Sequence, residues 1–163
     1  MNQSIIDSKI AVVNEVKEKF ESSASSVVVE YRGLSVKEVT ELRRALLKEN
    51  IDFKVYKNSM VERAANDLGY SELAGSLTGP NAFAFSKDAV APARVLAKFA
   101  KKNDLLVLKG GVVEGKVVDV TTIKMLAGLP GREGMISMIL GMLQSPVRKF
   151  AYAISQVAEQ KQA

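Results

Sequence analysis

Apolar and polar positions along the first 130 residues follow the periods of helices and strands. Residues 5–20 carry apolar side chains every three or four positions, which predicts an amphipathic helix. Val27, Val28 and Val29 then run into Tyr31 as a β-branched segment closed by Gly33, which predicts a strand covered on both faces. The apolar positions of the first helix are Ile6, Ile10, Val13, Val16 and Phe20.

A capping box marks the start of a second helix. Ser35 can accept a hydrogen bond from the backbone of Glu38, and the Glu38 carboxylate can reach back to the Ser35 backbone. The helix is predicted over Val36–Lys48. Its exposed side would carry four cations, Lys37, Arg43, Arg44 and Lys48.

Strands and helices continue to alternate up to residue 130, which predicts an α/β head with a mixed sheet flanked by helices. Glycines at 110, 111 and 115 indicate a hairpin within this stretch. The remaining predicted elements are a strand Ile51–Tyr56, a helix Asn58–Gly69, a strand Asn81–Phe85, a helix Ala91–Lys101, a strand Leu105–Leu108 and a short helix Thr122–Ala127.

A long protruding C-terminal helix is predicted after a break at Leu129-Pro130-Gly131, so we expect a head of residues 1–130 and a tail of residues 131–163. Apolar residues recur there at alternating spacings of four and three. Residues 135–143 are apolar around most of the helix circumference, so protein must surround them, either the head of this chain or a partner. The positions predicted to bind partner chains are Met135, Ile136, Ile139, Leu140, Leu143, Val147, Phe150, Ala151, Ile154 and Val157.

Pro146 lies inside the tail pattern, where a kink would produce two tandem docking stretches. Two alternatives remain open at this stage. The tail could fold onto its own head, as terminal helices often do, or it could lie on a membrane surface. Few cations are present to support the second alternative, since the tail carries Arg132, Arg148, Lys149 and Lys161 as its basic residues.

Composition narrows the chemistry that this chain can perform. It has no Cys and no His, which excludes disulfides, thiol nucleophiles, imidazole bases and nearly every zinc site. Carboxylate pairs such as Glu38 with Glu41, or Asp7 with Glu15, lie on helices rich in Lys and Arg, where solvated charge explains them, so we predict no enzyme activity and no cofactor. A net charge of +5 favours a phosphate-rich polymer or an anionic membrane surface as the partner. With no signal peptide or spanning helix evident, a cytoplasmic protein is expected.

The segment from Gly110 to Lys116 has the spacing of a phosphate-binding P-loop, but the match is formal. Val117 stands where a Ser or Thr would hold magnesium, and Val117-Val118 favours a strand where a P-loop needs a helix start. A glycine-bearing turn is the better interpretation.

Cations and aromatic rings meet at two predicted strand-to-helix corners. Tyr31-Arg32-Gly33 ends one strand, and Lys54-Val55-Tyr56-Lys57-Asn58 ends the next. Cations contact phosphates, an aromatic ring stacks on an unpaired base, and Asn58 could serve a base edge or a ribose hydroxyl. These corners therefore predict an RNA-binding face. Amphipathic residues at the margin of a core would give the same pattern.

At these residues the chain resembles the family of large-subunit ribosomal protein ten, the base of the bacterial ribosomal stalk. The resemblance extends over nearly the whole sequence, and it depends on the order and intervals of several stretches. They are Tyr31-Arg32-Gly33-Leu34-Ser35-Val36, Leu42-Arg43-Arg44, residues 53–59, residues 79–85 and Leu129-Pro130-Gly131-Arg132-Glu133. Gly131 and Gly134 depart slightly from the family pattern, in which Ser and a longer side chain are commoner.

The resemblance implies a ribosome-bound protein whose head binds large-subunit rRNA beside ribosomal protein eleven. The tail would hold dimers of the acidic stalk protein, the seven/twelve pair, which recruit translational GTPases. Two stretches around Pro146 suggest two dimers. Repression of its own messenger is also implied. The RNA-binding residues carried over are Lys9, in the first helix, and Tyr31, Arg32, Gly33, Lys54, Lys57 and Asn58.

Overall fold

The computed structural model describes the backbone of residues 3–162 and the side chains of residues 7, 9–131 and 133–157. It divides into two compact units, Met1–Leu129 and Pro130–Ala163. The predicted apolar position Ile6 and the predicted tail cations Arg132 and Lys161 lie outside the described side chains.

The first unit contains five helices, one 3₁₀ helix and five strands within its described residues. They follow in the order α1 Gln3–Ser22, β1 Ser25–Glu30, α2 Val36–Lys48, β2 Asp52–Lys54, α3 Asn58–Asp67, the 3₁₀ helix Ser71–Ser76, β3 Asn81–Ser86, α4 Ala91–Ala100, β4 Val107–Val113, β5 Lys116–Val118 and α5 Val120–Ala127. The predicted alternation of strands and helices is confirmed. The strand predicted over Ile51–Tyr56 is shorter, and the strand predicted from Leu105 begins two residues later.

The sheet has the strand order β2-β3-β1-β4-β5. Every neighbouring pair is antiparallel, so the prediction of an α/β fold with flanking helices is confirmed, whereas the mixed pairing within the sheet is corrected. The reason is interleaving. Helical crossovers connect β1 to β2 and β3 to β4, and the two strands of each crossover run parallel to each other. They are not neighbours in the sheet, because β3 lies between β1 and β2, and β1 lies between β3 and β4.

Side-chain alternation on the central strands produces two cores, one on each face of the sheet. Val27 and Val29 of β1 pack with α2, α4 and α5, whereas Val28 packs with α1, α3 and the 3₁₀ helix. On β3, Ala82 and Ala84 face the first group and Phe83 and Phe85 the second. The prediction that β1 is covered on both faces is therefore confirmed, and the head has three layers.

Local signals in the sequence fix several helix and turn boundaries. Ser35 and Glu38 form the predicted capping box, with the Ser35 backbone N–H donating to the carboxylate at 2.7 Å. Pro92 lies in the first turn of α4, where its missing N–H is not needed. Glu114 and Gly115 both adopt positive φ, 49° and 76°, and join β4 to β5 in a two-residue hairpin.

Gly111 is required by the close approach of β1 and β4. A Cβ atom at this position would lie 2.2 Å from the backbone oxygen of Ser26. We expect Gly111→Ala to lower the free energy of unfolding of the head by about 3 kcal/mol, because two central strands would have to separate. Urea denaturation followed by circular dichroism measures this loss. Gly75→Ala is the control, since its Cβ would meet no atom within 4 Å and little change is expected.

The second unit is dominated by one helix, α6, over Arg132–Gln162. The predicted long C-terminal helix is thus confirmed, and its 31 residues span about 46 Å at about 1.5 Å per residue. Gly134 allows its first turn to form, because a Cβ there would approach the Pro130 Cβ to 2.6 Å. The helical assignment continues through Pro146, so the two predicted stretches belong to one element.

Candidate functional site

The two predicted corners lie at the same end of the sheet. Glu30, the last residue of β1, pairs with Asn81, and Lys54, the last residue of β2, pairs with Phe83 two positions further along β3. The segments that follow the two strands therefore begin at the same end of the sheet. The sequence alone could not predict that the corners lie at the same end, because the strand between β1 and β2 is β3, which comes later in the chain.

The first corner exposes a cation beside a partly covered ring. Tyr31 is half-buried against the α2–α4 core, while Arg32 is exposed. Gly33 adopts a φ of 87°, which a residue with a side chain rarely tolerates, and it lies next to Leu105. Arg32 is thereby presented to solvent on a tight turn. The Tyr31 ring is shared between the core and the surface.

Asn58 at the second corner forms hydrogen bonds with the loop that precedes β3. Its Nδ2 donates to the backbone oxygens of Leu77 and Gly79, at 2.7 and 2.8 Å, and its Oδ1 accepts from Asn81. The Asn58 amide, which was predicted to serve a base edge or a ribose hydroxyl, thus uses both of its protons in bonds within the protein. Asn58 fixes the loop that leads into β3.

Lys54 and Lys57, which were both predicted to bind RNA, have different environments. The Lys54 Nζ forms an ion pair with Glu15 of α1 at 3.0 Å, and the Tyr56 hydroxyl donates to the same carboxylate at 2.9 Å. These hydrogen bonds, from Lys54 first and Tyr56 second, hold the pKa of Glu15 below its usual value. Burial, followed by the bond to Glu15, raises the pKa of Tyr56, which stays protonated. Lys57 is exposed.

Lys57 and Lys9 line one groove between α1 and α3, and we call it the α1–α3 groove. Two further cations that sequence reasoning missed line it as well, Lys17 and Arg63. Lys17 is paired with Asp67 at 2.5 Å, whereas Lys9, Lys57 and Arg63 have no ion pair among the described residues. Arg63 is an exposed residue of α3, whereas Lys57 precedes that helix as its N-cap, so no helical spacing in the sequence links the two cations.

Lys109 is a further cation that the sequence did not indicate as part of this region, because it lies within an apolar strand. The register between β1 and β4 shifts between Val28 and Val29, so that Lys109 is left out of the pairing. Its Nζ pairs with Glu30 at 2.5 Å and donates to the backbone oxygen of Thr78. Gly79 lies against this pair with a φ of 79°. The ion pair therefore fixes the loop between the two corners.

The P-loop interpretation fails in the structure, as the sequence analysis expected. Gly110 and Gly111 lie inside β4, and Lys116 begins β5 where a P-loop would begin a helix. Among the described residues no cluster of carboxylates is suited to a metal ion. None of the described helices is long and apolar enough to cross a membrane.

The tail helix exposes the apolar residues that were predicted to bind partner chains. Leu143, Val147 and Phe150 are about 70% exposed, at 70, 72 and 70%. Met135 is half-buried and Ala151 is exposed. The other predicted positions are between 51 and 58% exposed, namely Ile136, Ile139, Leu140, Ile154 and Val157. A monomeric soluble protein rarely exposes this much contiguous apolar surface.

Comparison with known proteins identifies two matching family models. The model of ribosomal protein L10 matches residues 4–101, and the model of the ribosomal protein uL10 C-terminal region matches residues 129–163. A large ribosomal subunit protein uL10 of Bacillus licheniformis is 53% identical over 98% of this chain and 96% of its own length. The uL10 of Oceanobacillus iheyensis is 54% identical over 97% and 96%.

Proposed function

This chain belongs to the ribosomal protein L10 family and is a structural, non-enzymatic protein of the large ribosomal subunit, and from that premise we propose that it forms the base of the stalk. Its head binds large-subunit rRNA on cytoplasmic ribosomes, and its tail anchors dimers of the acidic stalk protein. The observation that carries this proposal is the separation of exposed cations in the first unit from the exposed apolar stripe of α6.

The RNA-binding surface combines the α1–α3 groove with the two corners. Lys9, Lys57 and Arg63 supply unpaired positive charge in the groove, and Arg32 supplies it at the first corner. Tyr31 offers part of its ring to an unpaired base. Gly33 and Asn58 act by holding the corners in shape. Phosphate contacts dominate such a surface, so the affinity should fall steeply with salt.

Lys54 contributes less to RNA binding than Lys57. Because Lys54 must leave Glu15 before it reaches a phosphate, we expect Lys57→Ala to weaken binding of an rRNA fragment about fivefold and Lys54→Ala about twofold. Filter binding at two salt concentrations measures both effects. Replacing Lys54 and Lys57 together should leave the circular dichroism spectrum unchanged. Equal affinities of the double variant and the parent would remove both residues from the surface.

The tail holds partner helices along its apolar stripe. A helix whose long side chains are mostly exposed presents them at the intervals that a helix-in-groove contact requires. Pro146 has no N–H to donate to the Met142 carbonyl, so the helix lacks one backbone hydrogen bond between the stretch that ends at Leu143 and the stretch that begins at Val147. The two segments on either side support two dimers.

Counting the dimers tests this part of the proposal. The full chain is mixed with an excess of purified acidic stalk protein, and native mass spectrometry measures the mass of the complex. Four copies of the stalk protein per chain are expected. Two or six copies would contradict the division at Pro146, and an unbound chain would contradict the anchoring role itself.

Neighbouring components of the ribosome follow from the same proposal. The head lies beside ribosomal protein eleven, and the bound dimers recruit translational GTPases, which therefore meet this chain indirectly. Free of the ribosome, the head represses its own messenger by binding a leader that presents the same phosphate geometry. A gel shift with that leader and competing rRNA fragment tests this last activity, since one shared surface requires mutual exclusion.

A further inference from the structure

A second groove of the first unit has no part in the proposed function. It lies between α4, α5 and the start of β4, has a volume of about 810 Å³, and we call it the α4–α5 groove. Leu106 and Leu108 form its floor, and small or short side chains form its walls. The wall residues are Ala97, Ala100, Val120 and Ala127. Its lining is thus mainly apolar.

Positive charge surrounds this apolar lining. Lys98 stands on α4, Lys101 directly follows its last residue and Lys124 stands on α5, and all three are exposed. None of them has an ion pair among the described residues, whereas Arg94 at the far end is held by Glu49 at 2.7 Å. Asp104 is the acidic residue among those that line the groove. Three free ammonium groups therefore face solvent beside an apolar depression.

The α4–α5 groove and the α1–α3 groove lie on opposite faces of the sheet. The residues of α4 and α5 belong to the core that includes Val27 and Val29, and those of α1 and α3 to the core that includes Val28. A ligand in the α4–α5 groove therefore leaves the proposed RNA-binding groove open. The two surfaces can be occupied at the same time.

We propose that the α4–α5 groove binds an acidic amphipathic helix of a partner protein. Apolar side chains of such a helix would enter the depression between α4 and α5, and its carboxylates would meet the three lysines. The alanines allow close approach, since the distance between packed helices falls with the size of the side chains at the contact. RNA fits less well, because a phosphate backbone gains nothing from Leu106 and Ala97, whereas apolar side chains of a helix would be buried against them.

A synthetic peptide tests this proposal on the full chain. The probe is a fluorescent peptide of about 18 residues, five helical turns, with Leu on one face and Glu on the other. A peptide of the same composition in scrambled order is its control. Fluorescence polarisation should detect binding of the amphipathic peptide and weaker binding of the scrambled one. Equal affinity for both peptides would overturn the proposal, because simple charge attraction would then suffice.

Charge reversal locates the binding. Lys98→Glu, Lys101→Glu and Lys124→Glu together should weaken peptide binding at least about tenfold. The matched control reverses three exposed lysines elsewhere on the head, Lys37, Lys87 and Lys116, and should keep the affinity within about threefold after the same change in net charge. An equal loss in both variants, or a loss in neither, would overturn the proposal. The second outcome would place the peptide on the apolar stripe of α6.

Two further measurements keep the test decisive. If the reversed variant does not fold, the corresponding triple alanine variant replaces it, with the same expected direction. A 20-nucleotide single-stranded RNA serves as a competitor: the peptide should remain bound when the RNA occupies the α1–α3 groove. Displacement of the peptide by the RNA, lost in the charge-reversed variant, would instead assign the α4–α5 groove to nucleic acid.

Discussion

A chain that lacks residues 133–163 should lose the acidic stalk dimers completely while its head still folds and binds rRNA. The apolar side chains of α6 are mostly exposed, so the helix offers them to other chains. The head has its own two cores, whose described members all lie before residue 130. Co-purification with tagged stalk protein, thermal melting and filter binding measure the three expected outcomes. Melting of the truncated head at room temperature would show that α6 belongs to its core.

Point substitutions test whether dimer binding requires the apolar stripe of α6 itself, with the rest of the helix retained. Leu140→Asp with Leu143→Asp places two charges on the stripe before Pro146, and we expect at least one of two dimers to be lost. Ser137→Asp with Gln144→Glu adds the same charge at exposed polar positions of α6 and should retain both dimers. If both variants release the same number of dimers, the contact depends on charge and the apolar stripe is not its site.

Replacing Lys9, Lys57 and Arg63 together by Ala should lower the affinity of the head for its rRNA fragment by about 100-fold. Each replaced cation removes a charge-assisted phosphate contact worth on the order of 1 kcal/mol at an exposed site, and a tenfold change corresponds to about 1.4 kcal/mol. The three residues line one groove and have no competing ion pair among the described side chains. The loss should be similar for matched and unrelated RNA sequences, because phosphates carry no sequence information.

The salt dependence of binding distinguishes these contacts from a general loss of charge. Removing three phosphate contacts should reduce the slope of log affinity against log salt by about 2 to 3. Lys37, Lys87 and Lys116 replaced by Ala provide the control, since they are exposed and lie outside the α1–α3 groove. An unchanged slope in the first variant, or an equal reduction in the control, would assign RNA binding to another surface.

Several features of the fold could be predicted from local sequence. The capping box at Ser35, the proline in the first turn of α4 and the break at Leu129-Pro130-Gly131 each act through neighbouring residues. The long apolar pattern of the tail determined α6 and its exposed stripe in the same way. The resemblance to a known family, carried by stretches such as residues 53–59, led to the family that the comparisons then established.

The tertiary structure decided everything that depends on strand order. The sequence predicts alternating strands and helices, but pairing joins residues far apart in the chain, and the insertion of β3 and β1 between parallel strands made every pair antiparallel. The same pairing placed both corners at one end of the sheet. The packing around it also gave Asn58 its hydrogen bonds to Leu77 and Gly79, paired Lys54 with Glu15, and placed Lys9 and Arg63 in one groove. Hydrophobic period specifies which face of an element is buried, whereas the neighbours of that face are chosen by the packing of the whole chain.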